Sequence, residues 1–96
     1  MLTFNLKKEY YNMIVNGYKR TEYRESTKYW DARLCKIRQN NKIRFALGYT
    51  KTHVDAVVTG IDKILYSELP TYAKQCLKNN DAYYYRIQFY LKGEVN

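Results

Sequence analysis

Apolar and polar residues alternate along several stretches of the chain, as they do in β-strands with one buried face. The clearest alternation runs through 83–91, and shorter ones occupy 2–6 and 42–47. Another begins near 53 and continues to about 62, and the segment 19–25 is rich in residues that favour extended backbone. The pattern therefore predicts about five strands.

Apolar residues recur at helical spacing over 7–16, and Gly17 supplies the left-handed residue that commonly ends a helix. One or two helical turns are predicted over 27–34, with Thr27 as the N-cap. A third helix is predicted over 70–77, because proline suits a first helical turn and the apolar residues after it share one face. That face consists of Tyr72, Ala73, Cys76 and Leu77. Turns or loops are predicted at 39–41, 48–52 and 79–81.

The predicted elements follow the order strand, helix, strand, short helix, two strands, helix, strand. The chain has 96 residues with one proline and four glycines, and neither a linker composition nor an internal repeat divides it. We therefore expect residues 1–96 to form a single domain. About five strands with two or three inserted helices fit an α+β fold, a small mixed β-barrel with helical caps.

Basic residues outnumber acidic ones, 17 against 9, which gives a formal net charge of +8. An excess of this size favours polyanionic partners, although solubility alone is the simpler explanation. The chain also has twelve tyrosines, and aromatic rings among Lys and Arg can stack on bases while the cations hold phosphates. Because the apolar stretches are short and no secretory signal is recognisable, we expect a cytoplasmic protein without a membrane partner.

The sequence offers little for a metal or redox centre. Cys35 and Cys76 are far apart and have no Cys or His at metal-ligand spacing, so we expect neither a zinc site nor a cofactor. Free cysteines in a cytosolic protein usually behave as small buried hydrophobes, so we predict that Cys35 and Cys76 are both reduced and buried. His53, the single histidine, gives little support to a serine–histidine–aspartate catalytic unit.

The segment 16–25 concentrates ionisable residues directly after a predicted helix end. On an extended strand Glu22 and Arg24 project to the same face. They could pair there, or together with Lys19 they could line a mouth of the barrel. In that position the carboxylate could accept hydrogen bonds from a base edge, and the cations could hold a phosphate or a carbonyl oxygen. The alternative is an exposed edge strand whose charges discourage aggregation.

The run Gly17-x-Lys19-x-x-Glu22-x-Arg24 resembles the G-x-K-x-x-E-x-R signature of ASCH domains. The stretch 29–34 resembles a Y-W-x-x-R-L run found in a phage-associated branch, and the predicted first helix and later strands fall in matching places. The resemblance implies a PUA-like barrel whose cleft is lined by Lys19, Glu22 and Arg24. It also implies that the ligand is RNA or a single, often modified, base or nucleoside.

Residues beside the signature are further candidates for ligand contacts. Tyr29 or Trp30 could stack on a base next to Arg33, although a tryptophan at this place is equally suited to anchor the core. Several basic residues are candidates for contacts to backbone phosphates. They are Arg20, Arg33, Lys42, Arg44 and Lys51.

Three other functions stay open. Some ASCH proteins deacetylate acetylcytidine nucleosides with a Lys, a Thr and a Glu. Lys19 matches the Lys, whereas Glu22 stands at the position of the Thr. Thr21 offers the nearest hydroxyl, and Glu68 is the nearest candidate for the Glu. A metal-independent ribonuclease would use Lys19 and Arg24 to stabilise phosphoryl charge and Glu22 as a base. A protein-interaction factor of a mobile element would use the tyrosine-rich surface to bind a protein partner.

Overall fold

The computed structural model describes residues 1–77 and 82–94. Its strands are β1 (Leu2–Leu6), β2 (Thr21–Glu25), β3 (Lys42–Leu47), β4 (His53–Leu65) and β5 (Tyr83–Leu91). Its helices are α1 (Lys8–Val15), α2 (Lys28–Leu34) and α3 (Thr71–Cys76), and a 3₁₀ turn at Tyr66–Glu68 joins β4 to α3. The predicted order of strands and helices is therefore confirmed.

The strands form one five-stranded sheet in the order β1-β3-β4-β5-β2. β1 runs parallel to β3, whereas the other neighbouring strands are antiparallel, so the sheet is mixed. The register between β4 and β5 shifts at Val58 and Gly60, and a bulge of this kind bends and twists a strand. The curved sheet is a half-barrel with β1 and β2 at its two edges. The predicted α+β, PUA-like fold class is confirmed.

The core lies inside the curve of the sheet, where the apolar side of each strand alternation meets the helices. Phe4 is fully buried at its centre, with its ring stacked 5.5 Å from that of Phe45 and 5.2 Å from that of Trp30. α1 contributes Tyr11 and Ile14, as its helical spacing predicts. A smaller cluster beneath α3 completes the packing. Its buried members are Ile64, Leu69, Ala73 and Tyr84.

Some predicted element ends differ from the structure. β4 continues past 62 to Leu65, because its last residues pair with the start of β5. β2 begins only at Thr21, since the amide of Lys19 still donates to the carbonyl of Met13 in the turn after α1. Pro70 is the N-cap of α3 rather than part of its first turn. The predicted turn at 79–81 lies outside the described residues.

The prediction that both cysteines are buried is wrong. Cys35 and Cys76 are free thiols on exposed positions. Cys35 caps the C-terminus of α2, and Cys76 is the last residue of α3. On α3 only Ala73 of the predicted apolar face is buried, because this short helix packs against the small cluster through that residue and turns Tyr72 and Cys76 toward a cleft.

Candidate functional site

A cleft of about 330 Å³ lies between the edge strands β1 and β2 and the helices α1 and α3. It lies where the half-barrel is open, because β1 and β2 are not hydrogen-bonded neighbours. A volume of this size falls at the lower end of the range for small-molecule pockets and suits a single base or nucleoside. The residues that give the cleft its chemistry are Tyr10, Lys19, Glu22, Tyr23, Arg24 and Tyr72.

The three signature residues meet in this cleft. Glu22 is only 4% exposed, and its Oε1 atom accepts a hydrogen bond of 2.7 Å from Nζ of Lys19. Its Oε2 atom accepts from two atoms of Arg24, Nη2 at 2.7 Å and Nε at 3.1 Å. Glu22 and Arg24 therefore pair, and both line the cleft together with Lys19. Charge-assisted bonds of this kind fix the positions of the two cations.

The turn after α1 places Lys19 beside the strand that follows. Gly17 has a φ of 87°, a left-handed conformation that favours glycine and allows the chain to reverse there. Arg20 secures the turn, since its Nη1 atom donates to the carbonyls of Ile14 at 2.5 Å and Lys19 at 2.8 Å. The chain then enters β2 with Lys19 within reach of Glu22.

β2 presents Glu22 and Arg24 on one face because side chains alternate along a strand. The strand is held by antiparallel pairing with β5, in which Glu22 lies opposite Ile87 and Arg24 opposite Tyr85. The guanidinium carbon of Arg24 lies 5.2 Å from the ring centre of Phe4 and 4.9 Å from that of Trp30. This distance permits cation–π attraction, so Arg24 is held by core aromatic rings as well as by Glu22.

Three tyrosines surround the charged group: Tyr10 from α1, Tyr23 from β2 and Tyr72 from α3. Nζ of Lys19 lies 5.3 Å from the ring centre of Tyr10, whose hydroxyl donates to Sγ of Cys76 at 3.2 Å. Partial desolvation in the cleft, together with the neighbouring Tyr23, raises the pKa of Tyr72 to about 12. The cleft therefore combines aromatic walls with a charged floor.

The candidates on α2 lie beside the cleft rather than in its lining. The guanidinium carbon of Arg33 is 3.5 Å from the ring centre of Tyr29, and its Nη1 atom donates to the Tyr29 carbonyl at 2.8 Å. Tyr29 in turn meets Trp30 edge to face. Trp30 is partly buried and packs on the core, so it acts as a core anchor that also contacts Arg24.

The basic residues predicted to contact phosphates have different surroundings. Arg20 forms an ion pair with Glu94, and Arg44 forms one with Asp55 at 2.8 Å. Lys51 is exposed in the loop between β3 and β4 and lines a shallow depression with His53. Lys42 is exposed at the start of β3. The structure therefore brings none of these four into the main cleft.

The residues considered for amidohydrolase chemistry are not all brought together. Lys19 and Glu22 line the cleft, whereas Thr21 and Glu68 are not among its lining residues. Glu68 lies in the 3₁₀ turn, where its Oε1 atom accepts from the amide of Leu65 at 3.2 Å. Over 1–77 and 82–94, no group of three or more His, Cys, Asp or Glu side chains could hold a metal ion.

Sequence reasoning missed the cleft tyrosines and a polar network next to them. Tyr72 and Cys76, four residues apart on α3, belong to the predicted apolar face of this helix, and the same spacing also suits the wall of a cleft. Asp31 of α2 accepts hydrogen bonds from the hydroxyls of Ser26 at 2.6 Å and Tyr85 at 2.8 Å. These bonds lower the pKa of the Asp31 carboxyl and join α2 to the sheet. No local sequence signal marks this long-range contact.

Comparison with known proteins finds likeness in structure alone, since no family model and no curated protein matches the chain. A point mutant of ZmASCH from Zymomonas mobilis has a TM-score of 0.67 at 13% identity, covering 98% of this chain and 72% of the other. The hypothetical protein PH0355 has a TM-score of 0.64 at 14% identity, covering 94% and 97%. An ASCH domain from Lactobacillus crispatus has a TM-score of 0.53 at 12% identity, covering 83% and 68%.

These identities are low, so the likeness establishes the fold. The prediction of an ASCH-type fold is confirmed, and membership of a phage-associated branch stays a prediction. In the part of the chain that the structure describes, no helix has the length and apolar character to cross a bilayer.

Proposed function

We propose that this chain, which has the fold of ASCH-domain structures, is an RNA-binding module that seats a single base in the cleft between β1 and β2. The observation that carries the proposal is the buried Glu22 carboxylate between Lys19 and Arg24 on the floor of a base-sized, tyrosine-lined cleft. Aromatic walls with a few fixed polar groups are the usual means of recognising an unstacked base.

The charged floor is better explained by ligand binding than by stability. Removing charged groups from water costs several kcal/mol per ion, and apolar residues of similar size often stabilise a fold equally well. Buried charges that are nevertheless held beside an open cleft are typical of functional sites. Lys19 and Arg24 keep side-chain exposures of 12% and 23%, so both cations can meet a ligand.

The net charge of +8 supplies the second part of the proposal. Phosphates next to the seated base would contact exposed cations around the cleft, such as Lys7 at its rim and Arg33 on α2. Such contacts release counterions, so the affinity for RNA should fall as salt rises. The base would fix the position of the strand, and the phosphates would supply most of the affinity.

The test is fluorescence anisotropy of a labelled single-stranded RNA at two salt concentrations. The Lys19→Ala/Glu22→Ala variant keeps the net charge, and we expect it to bind at least tenfold more weakly because the cleft floor is lost. The matched control is Lys36→Ala/Glu9→Ala, which also keeps the net charge and alters two exposed residues outside the cleft. Circular dichroism verifies that both variants are folded.

Salt-sensitive binding that the cleft variant weakens and the control does not would support the proposal. If the cleft variant binds RNA as tightly as the control and the unaltered chain, the RNA binds elsewhere on the basic surface. Absence of binding by the unaltered chain would overturn the proposal. Lys19→Met, which keeps the apolar stem of the side chain, serves if the double variant does not fold.

A further inference from the structure

We infer that the cleft selects a uracil-type base and reads its imide edge, the carbonyl, N–H and carbonyl groups that lie side by side on the ring. The inference rests on the proposed function, since it presumes that a base occupies the cleft, and it adds which base that is. It follows from which hydrogen-bonding positions remain after Lys19, Glu22 and Arg24 have bonded one another.

Lys19 and Arg24 retain donors. An ammonium group has three N–H bonds, and that of Lys19 uses one of them for Oε1 of Glu22. A guanidinium group has five, and Arg24 directs one from Nε and one from Nη2 to Oε2 of the same carboxylate. The Nη1 group of Arg24 has no bond to the described residues. Donors therefore remain on both sides of the carboxylate.

Glu22 retains one acceptor position between these donors. Each carboxylate oxygen has about two lone-pair sites. Oε2 accepts two bonds from Arg24, whereas Oε1 accepts one bond from Lys19. We infer that the free site on Oε1 lies between the unused donors, which gives the floor of the cleft a sequence of donor, acceptor and donor. The hydrogen bonds of 2.7 and 3.1 Å among the three side chains hold these groups together before a ligand arrives.

Uracil presents the complementary sequence. Its O4 and O2 atoms accept hydrogen bonds, and the N3–H group between them donates one. Cytosine has an amino group in place of O4 and a bare N3 acceptor, which would face the Oε1 atom of Glu22. Leaving buried polar groups without partners is costly, so a site of this kind rejects the mismatched base.

The rest of the cleft suits a small planar ring. Tyr10, Tyr23 and Tyr72 supply apolar surface around the floor. Any of the bases can stack on an aromatic ring, because each base has a π-face. Stacking thus contributes affinity, while the three charged residues contribute the choice of base. The volume of about 330 Å³ accommodates a single base or nucleoside.

The experiment measures binding of nucleoside monophosphates to the full chain by calorimetry. The ligands are uridine, cytidine and 3-methyluridine 5′-monophosphates, with inorganic phosphate as a further probe. We expect uridine monophosphate to bind at least about tenfold more tightly than the cytidine compound, within the range for a well-formed pair of base contacts. Methylation of N3 removes the donor that Glu22 would accept, so we expect a similar loss for 3-methyluridine monophosphate.

The Lys19→Met variant tests the contribution of the Lys19 N–H donors to base selection. Lys19→Met keeps an unbranched apolar side chain and removes the N–H groups, so the preference for uridine over cytidine should shrink severalfold. Lys8→Met makes the same change on an exposed residue of α1 outside the cleft lining and should leave the preference unchanged. If Lys19→Met does not fold, the comparison of uridine with 3-methyluridine on the unaltered chain is sufficient.

The outcomes separate this inference from the proposed function. Equal binding of all three nucleotides, tighter binding of cytidine, or inorganic phosphate that binds as well as uridine monophosphate would each overturn the selection of uracil. RNA binding that depends on the cleft would stand in each of these cases. If the chain binds neither RNA nor any nucleotide, the proposed function itself fails.

Discussion

Glu22→Ala leaves two cations facing each other with no carboxylate between them. The change removes hydrogen bonds of 2.7 Å from Lys19 and of 2.7 and 3.1 Å from Arg24. Removing one member of a buried ion pair costs about 3–5 kcal/mol. Because the cations keep exposures of 12% and 23%, water recovers part of this loss. We therefore expect the free energy of unfolding to fall by about 2–3 kcal/mol, combining these costs with typical values for charged hydrogen bonds.

The loss can be measured by urea unfolding, followed by the fluorescence of Trp30. For a chain of this size the loss corresponds to a fall in Tm of roughly 10–20 °C. Glu9→Ala, an exposed change on α1, is the control and should alter stability by less than about 0.5 kcal/mol. Replacing Lys19, Glu22 and Arg24 together by Met, Leu and Met should restore most of the stability, because no unpaired charge remains. A loss below about 0.5 kcal/mol for Glu22→Ala would refute the reasoning.

Other predictions concern the walls of the cleft and the core. Because the pKa of Tyr72 is raised to about 12, the stability that its protonated hydroxyl contributes is fully present below pH 10 and is lost as the pH rises toward 12. In Tyr72→Phe, Tm should therefore fall less steeply over that interval. Phe4→Ala should lower the free energy of unfolding by about 3–5 kcal/mol in urea titrations, and a smaller loss would contradict the central place of this ring. Cys35 and Cys76 should both react with Ellman's reagent in the native protein, and protection of either thiol would contradict its exposure.

The fold could be predicted because its strands carry strict alternation and its elements are short. Ile43 and Phe45 of β3, and Ile87 and Phe89 of β5, lie on the core face that their spacing predicts. The pairing order could not be derived from local pattern. Neither β1 nor β3 contains a signal for their parallel pairing, which depends on the packing of the whole sheet around Phe4.

The site could be predicted in part for the same physical reason. Glu22 and Arg24 share a face because a strand alternates, and Gly17 marks the turn that brings Lys19 to them. The tyrosine walls could not be predicted, because Tyr10 and Tyr72 come from α1 and α3, and their approach to Tyr23 of β2 depends on the tertiary fold. A helical stripe such as that of Tyr72 looks the same in sequence whether it faces a core or a cleft, and only the tertiary arrangement decides between them.

The double engagement of Arg24 has a consequence for how this protein can change over evolutionary time. Its guanidinium bonds Glu22 in the cleft and also lies against the rings of Phe4 and Trp30. A mutation at either ring therefore disturbs a ligand-facing group, and a new ligand preference that alters Arg24 disturbs packing. Among homologues, position 24 should covary with positions 4 and 30, whereas exposed positions outside the cleft, such as those of Glu9 and Lys36, should vary independently.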